Sequence, residues 1–373
     1  MERGIVKTFC DLAKIPSPSG KEKDAMDYIK GYLKKLNVEC LEDNAGKFVK
    51  GNSGNLIAKI GNGKPTILFV AHVDTVEDGK RQVKPVIKNG IIKSDGTTIL
   101  GSDDKSGVAA LLEAIKEIKG RKNLPTIFAV FSVNEEKPPM GIKFLNVGKK
   151  VDFAFDLDGS DRPGVFLNKA LGYASFKIEI FGKEAHAARN PEKGANAIKA
   201  AGMIIAGLKL GADSKGTINI GRISGGGALN VVPANAILEG EARAYSIQDI
   251  EKRLAGVKKA AKKACKISHC TFKFAKSQEI EPPFPQNNEA RIVALAKKAA
   301  KSAGLKFSLQ AFRATLQANI LAKKGYNALA VCRGGRNAHS KKERISIKEL
   351  AHARDLVVKI VEQAGEKEKK KHF

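Results

Sequence analysis

The chain has 373 residues, 43% of them hydrophobic, and a formal net charge of +27. That length suits two domains rather than one, and the apolar content is enough to fill a core in each. No apolar run approaches the roughly 20 residues that a membrane-spanning helix requires. The start, MERGIVKTFCDLAKIPSPSGKE, mixes acids and bases through its short apolar stretches and does not read as a secretory signal. Five cysteines without a CxxC pair fit reduced thiols and a cytoplasmic location.

Residues 1–166 alternate strand and helix signals, which predicts βαβ units on a mostly parallel sheet flanked by helices. From about residue 167 the style changes. GYASFKIEIFG reads as a strand, GANAIKAAGMIIAGLKLG as a helix, and TINIGRI and NAILEGEARAY as strands. IQDIEKRLAGVKKAAKKAC is then a helix and HCTFKFAK a strand. The order βαββαβ is ferredoxin-like. After EIEPPFPQ, the helix NEARIVALAKKAAKSAG and the strand NALAV resume the first style. The expectation is a catalytic α/β domain of residues 1–166 and 278–373, interrupted by an inserted α+β domain of residues 167–277.

Lysines are spread along the chain and aromatic residues make up only 6%, so the charge predicts salt-sensitive adhesion to polyanions rather than a specific nucleic-acid site. Between Glu251 and Lys276, where lysines are densest, Ile250, Leu254, Val257, Ala261 and Cys265 share one helical face. That pattern is an amphipathic helix with a solvated basic side. Cys265, His269 and Cys270 suggest a zinc knuckle, but a fourth ligand at knuckle spacing is missing. The tail EKEKKKHF reads as a frayed, charged terminus.

Four apolar runs end in potential metal ligands. TILFVA leads to His72 and Asp74, TIFAVFSV to Glu135 and Glu136, FAFDL to Asp158, and NALAV to His339 a few residues on. Runs without alternation are what strands buried on both faces look like, and ligands of open α/β sheets collect beyond the carboxyl ends of such strands. Asp74 sits where a carboxylate fixes the tautomer of His72, although an HxD pair alone equally describes a hydrogen-bonded surface histidine. Asp103 and Asp104 open an apolar-periodic helix, where an aspartate is also an ordinary N-cap. Glu135 and Glu136 repel each other and lose solvation, which favours one ligand and one general base. Asp156 and Asp158 face the same side, with only the latter expected beyond the strand in a glycine turn. Taken jointly, histidine and carboxylate donors at strand exits describe a catalytic zinc site.

These motifs resemble the peptidase T-like branch of the co-catalytic zinc peptidases, a family that includes glutamate carboxypeptidases, aminoacylases and succinyl-diaminopimelate desuccinylases. The resemblance runs from FCDLAKIPSPSGKE through AHVDTV, LGSDDKSGVAALLEA, VNEE, LDGS, GKEAHAARNPEKGANAI, NIGRISGGGALNVVP and GEARAY to AHSKKERISI. It implies two zinc ions per subunit, with cobalt or manganese as possible replacements. His72 and Asp158 would hold one ion, Glu136 and His339 the other, and Asp103 would bridge them before a cis peptide to Asp104. Asp74 would orient His72 and Glu135 would be the general base. The inserted domain would act as lid and dimerisation domain, His186 would reach the partner's site to stabilise the oxyanion, and Asn230 and Arg243 would bind polar ends of the substrate.

Two departures from the family pattern concern the substrate: Gln317 stands where an acid is usual, and Lys137 follows Glu136. The expected function is a metallo-aminopeptidase cutting short peptides in the manner of a tripeptidase. The alternatives are a deacylase of N-acyl amino acids or a carboxypeptidase of the same chemistry, and an inactive scaffold that binds polyanions.

Overall fold

In the computed structural model, residues 2–77, 79–277, 279–285 and 290–366 are described. Position 278, where the last predicted segment begins, and tail positions 367–373 lie outside them. The chain divides into two compact units, one of residues 1–168, 286–311 and 316–373, the other of residues 169–285 and 312–315.

The chain opens with α1 (Glu2–Ala13), α2 (Lys23–Lys35), β1 (Cys40–Glu42), α3 (Ala45–Val49), β2 (Leu56–Ile60) and β3 (Gly63–His72). It continues with β4 (Pro85–Lys88), β5 (Ile91–Ser94), α4 (Ser102–Ile118), β6 (Pro125–Ser132), β7 (Phe153–Gly159) and β8 (Val165–Ala170). Next come β9 (Gly172–Phe181), α5 (Ala197–Ala206), β10 (Gly211–Ala212), β11 (Gly216–Gly225), β12 (Asn235–Ala244), α6 (Ile247–Ile267), β13 (Thr271–Lys276) and β14 (Phe284–Pro285). The last segment supplies α7 (Arg291–Ser302), β15 (Ser308–Phe312), α8 (Gln317–Lys323), β16 (Ala328–Cys332), β17 (Arg344–Ser346) and α9 (Ile347–Gly365).

The main sheet of the first unit runs β1-β2-β6-β3-β7-β16-β8. Its centre is parallel: β3 pairs with β6 on one side and β7 on the other, and β7 pairs with β16. These are the four apolar runs. They lack alternation because both faces are covered; every residue of β6, β7 and β16 is buried. The outer pairs β1–β2, β2–β6 and β8–β16 are antiparallel. α4 and α9 pack on β3 and on each other, and α8 packs on β7 and β16. Inside the core the rings of Phe69 and Phe155 stack at 5.5 Å.

The chain steps from β3 to β6 on one side and to β7 on the other, so the sheet order reverses at β3 and opens a crevice at its carboxyl end. One detail differs from the sequence-based expectation. β7 continues through Asp158 and Gly159 instead of breaking before them, because Gly159 pairs with Cys332 so closely that a Cβ there would lie 2.5 Å from its sulfur.

In the second unit the strands run β11-β12-β9-β13, all antiparallel, with the short β10 beside β11. That is the ferredoxin-like order produced by βαββαβ. α5 and α6 contact each other and this sheet. Ile250, Leu254, Val257, Ala261 and Cys265 form the buried face of α6 as their spacing predicts, and Cys265 and Cys270 are both buried in this second core. Among the described residues, no helix is long and apolar enough to cross a membrane.

Phe155→Ala should cost about 3–5 kcal/mol, because it removes a fully buried ring from a close-packed core. Leu41→Ala, at a position 70% exposed, should change stability by less than about 0.5 kcal/mol. Chemical denaturation of the two variants tests the contrast; equal losses would contradict this assignment of the core.

Candidate metal centre

His72 closes β3 and is 1% exposed. Its Nδ1 lies 3.0 Å from the carbonyl oxygen of Asp74, which fixes the proton there when the ring is neutral. The lone pair of Nε2 is thereby directed toward acids: Asp103 Oδ1 at 3.3 Å, Asp158 Oδ1 at 3.7 Å and Glu135 Oε2 at 4.0 Å. The Asp74 carboxylate is 3.5 Å from Nδ1 and has further partners. It accepts the backbone N–H groups of Glu135 (2.9 Å) and Glu136 (3.1 Å) and the hydroxyl of Ser19 (2.7 Å). Asp74 therefore positions the two glutamates as well as the histidine.

Asp103 and Asp104 stand at the start of α4 in non-helical conformations, joined by a cis peptide. Asp104 Oδ1 accepts the N–H of Gly107 at 3.1 Å, so this aspartate also caps the helix. A Cβ on Gly107 would sit 2.4 Å from that oxygen, which explains the glycine. The two oxygens of Asp103 divide, Oδ1 facing His72 and Oδ2 lying 3.3 Å from His339 Nε2. His339 Nε2 is also 2.8 Å from Glu136 Oε1.

Among the described residues, atoms able to bind a metal fall within 4.8 Å of one another in three groups: Asp103–Glu136–His339, His72–Glu135–Glu136 and His72–Asp104–Asp158. The first is the trio expected on the His339 side. On the His72 side the group formed with Asp158 contains Asp104, while Asp103 reaches His72 pairwise. Imidazoles and carboxylates without thiolates suit zinc, cobalt or manganese. The donor set thus fits a pair of divalent ions.

The charges of the cluster are strongly perturbed. Burial drives the carboxyl of Glu135 well above its ordinary pKa, and Asp158, Glu136 and Asp74 add to the rise. Burial likewise raises Asp158 to about 6 and pushes Asp104 and Asp156 far up. For Asp103 burial acts in the same direction, but Arg333 and the two histidines outweigh it and hold the group well below the usual range. Hydrogen bonds to Asp103 and Glu136 raise His339 to about 10.

Arg333 was not anticipated from the sequence. It follows β16 directly, is 2% exposed, and donates from Nε to Asp104 Oδ1 (2.6 Å) and from Nη2 to Asp103 Oδ1 (2.5 Å). The strand-exit rule that picks out the acids would have found it had it been applied to bases. Glu343 was also missed, and a surface-like KKER run gives no signal for it. Buried at 1% exposure, it accepts the N–H groups of Leu100 (2.8 Å), Gly101 (2.7 Å) and Asp103 (3.1 Å) and the hydroxyl of Ser102 (2.7 Å). Glu22 supports the glutamate turn by accepting the N–H of Asn134 at 3.0 Å, and burial pushes it up to about 7.

Gln317 is fully buried, and its side-chain carbonyl accepts from Oγ of Ser132, the last residue of β6, at 2.5 Å; Lys137 is exposed. His186, Asn230 and Arg243 belong to the second unit. His186 is exposed, and its Nδ1 accepts the N–H groups of Ala188 (3.2 Å) and Arg189 (3.3 Å). Asn230 is exposed, and its carbonyl accepts from Ala187 N at 2.9 Å. Arg243 pairs with Glu241 at 2.9 Å and lies over the ring of Tyr173.

The sequence matches the family profile of a peptidase dimerisation domain over residues 168–269 and that of peptidase family M28 over residues 55–205. YqjE, an uncharacterised protein of Bacillus subtilis, is 34% identical, with 98% of this chain and 99% of that protein covered. The crystal structure of aminopeptidase PepT from Bacillus cereus matches with a TM-score of 0.88 at 33% identity, covering 98% of this chain and 99% of that one. A tripeptidase from Staphylococcus aureus matches with a TM-score of 0.91 at 30% identity and the same coverage. With this likeness spanning both units, the chain belongs to the M20 peptidase family, in its peptidase T-like branch, and is a peptide hydrolase.

Proposed function

We propose that the protein is a metallo-aminopeptidase that releases the N-terminal residue of short peptides, tripeptides above all, and works with two zinc ions per subunit. The carrying observation is the split of Asp103, one oxygen facing each imidazole. His72 and Asp158 would hold one ion, Glu136 and His339 the other, and Asp103 both. Ions held this way acidify water and polarise a carbonyl. Cobalt or manganese would serve in their place. Five unpaired cysteines suit a cytoplasmic enzyme.

The protein's own groups carry the proton. Glu135 is buried beside the ligands, and the neighbouring acids that raise its pKa make it a stronger base once ionised. It takes a proton from the attacking water and passes it to the departing amine. The bonds to His186 Nδ1 leave the proton of the neutral ring on Nε2. That exposed N–H suits donation to the oxyanion in the site of a partner subunit. A homodimer formed through the second unit is supported by the exposed apolar Ile198, Ile223 and Leu229. Asn230 and Arg243 would bind the polar ends of the peptide, Arg243 exchanging Glu241 for a carboxylate.

Glu135→Gln should lower kcat by about 10²–10⁴-fold while mass spectrometry finds the metal content unchanged; retention of most turnover would remove Glu135 from its role. Mixing His186→Ala with Glu135→Gln protein should restore activity, because a hybrid dimer contains one site with both groups. No recovery after subunit exchange would rule out donation between subunits. In a panel of free and N-acetylated tripeptides, only the free peptides should be cut; equal kcat/KM for both would replace the aminopeptidase with a deacylase or carboxypeptidase.

A further inference from the structure

Resting on the two-ion reading above, we propose that Arg333 makes the two metal positions unequal. Its guanidinium engages the ligand oxygens on the His72 side. A divalent ion therefore settles first at Asp103–Glu136–His339, and a second joins at His72–Asp158 only when Arg333 releases Asp103 Oδ1.

The two sides face different cations. On the His72 side, Arg333 Nη2 is 2.5 Å from Asp103 Oδ1 and 3.5 Å from Asp158 Oδ1, the two oxygens that lie closest to His72 Nε2 there. An ion at this position needs those oxygens at about 2.0–2.2 Å, so it competes with a hydrogen bond already made. On the other side, Asp103 Oδ2 and Glu136 Oε1 face His339 Nε2. An imidazole can shed its proton and become a ligand, whereas a guanidinium keeps its charge.

Arg333 cannot readily leave. Its Nε is bound to the buried Asp104 at 2.6 Å and its Nη1 to the carbonyl of Gly334 at 2.8 Å, in a side chain only 2% exposed. Giving up the Nη2 contact frees Asp103 Oδ1 but leaves a positive charge beside the incoming ion. That repulsion weakens one position specifically. A purely structural role, holding Asp103 and Asp104 in place, would instead support both positions.

The test is a zinc titration of metal-free protein against a chromophoric chelator, with bound ions counted by mass spectrometry. Wild type should bind two ions with dissociation constants at least about 100-fold apart. His339→Ala should remove the tight event and Asp158→Asn the weak one. Arg333→Met should tighten the weak event at least about tenfold and leave the tight one in place. If Arg333→Met does not fold, the wild-type isotherm and the other two variants still decide. Two ions of equal affinity, or an Arg333→Met variant that binds the second ion more weakly, would overturn this inference alone. A protein that binds no zinc would overturn the two-ion reading and this inference with it.

Discussion

Carboxyl groups crowded at the carboxyl edge of the parallel sheet are the constraint to which the rest of the first unit answers. Asp74, Asp103, Asp104, Glu135, Glu136, Asp156 and Asp158 gather where four buried strands end. Two like charges 4 Å apart repel by roughly 4 kcal/mol at an effective dielectric of 20, and burial adds to the cost of each. The rise of Glu135, Asp104, Asp156 and Asp158 expresses that cost. Positive charge must balance it, and the protein itself brings Arg333 and two histidines. Histidines can exchange their protons for metal; the arginine cannot. The cluster thus combines one fixed cation with places for exchangeable ones.

Adjacent acids acquire different tasks through their neighbours. Glu135 faces His72 at 4.0 Å while Glu136 contacts His339 at 2.8 Å, although both hang from the same turn tied to Asp74. Asp103 faces the two imidazoles with one oxygen each, whereas Asp104 turns back to cap α4, to bind Arg333 and to accept the N–H of His72 at 3.2 Å. A one-residue step along the chain gives the two members of each pair different partners.

The strands and most acids were legible because burial on both faces leaves an unbroken apolar run, and because acids directly after such a run are costly without a purpose. The ferredoxin-like order was legible from alternation along β9 and β12 and from the spacing on α6. What was missed has a common cause. Arg333 and Glu343 act on Asp103 across more than two hundred positions of sequence; the exit of β16 marks Arg333 only when bases are considered as well as acids, and nothing local marks Glu343. The extent of β7 was misjudged because Asp158-Gly159 looks like a turn, while pairing with β16 keeps it extended. The burial of Gln317, whose side-chain carbonyl accepts from Ser132 at the end of β6, comes from the same kind of distant contact.

The segment after β16 concentrates contacts on Asp103. Arg333 holds one of its oxygens, His339 faces the other, and Glu343 binds its backbone N–H together with the turn before it. One peptide segment thus brings an imidazole, a fixed charge and a backbone clamp to Asp103. Within the segment Arg336 pairs with Arg344, and His339 has a positive φ of +61°. Three of the contacts that place Asp103 therefore come from the far end of the polypeptide. The two halves of the cluster thus differ in the partner that this loop brings to each oxygen of Asp103, a guanidinium on one side and an imidazole on the other.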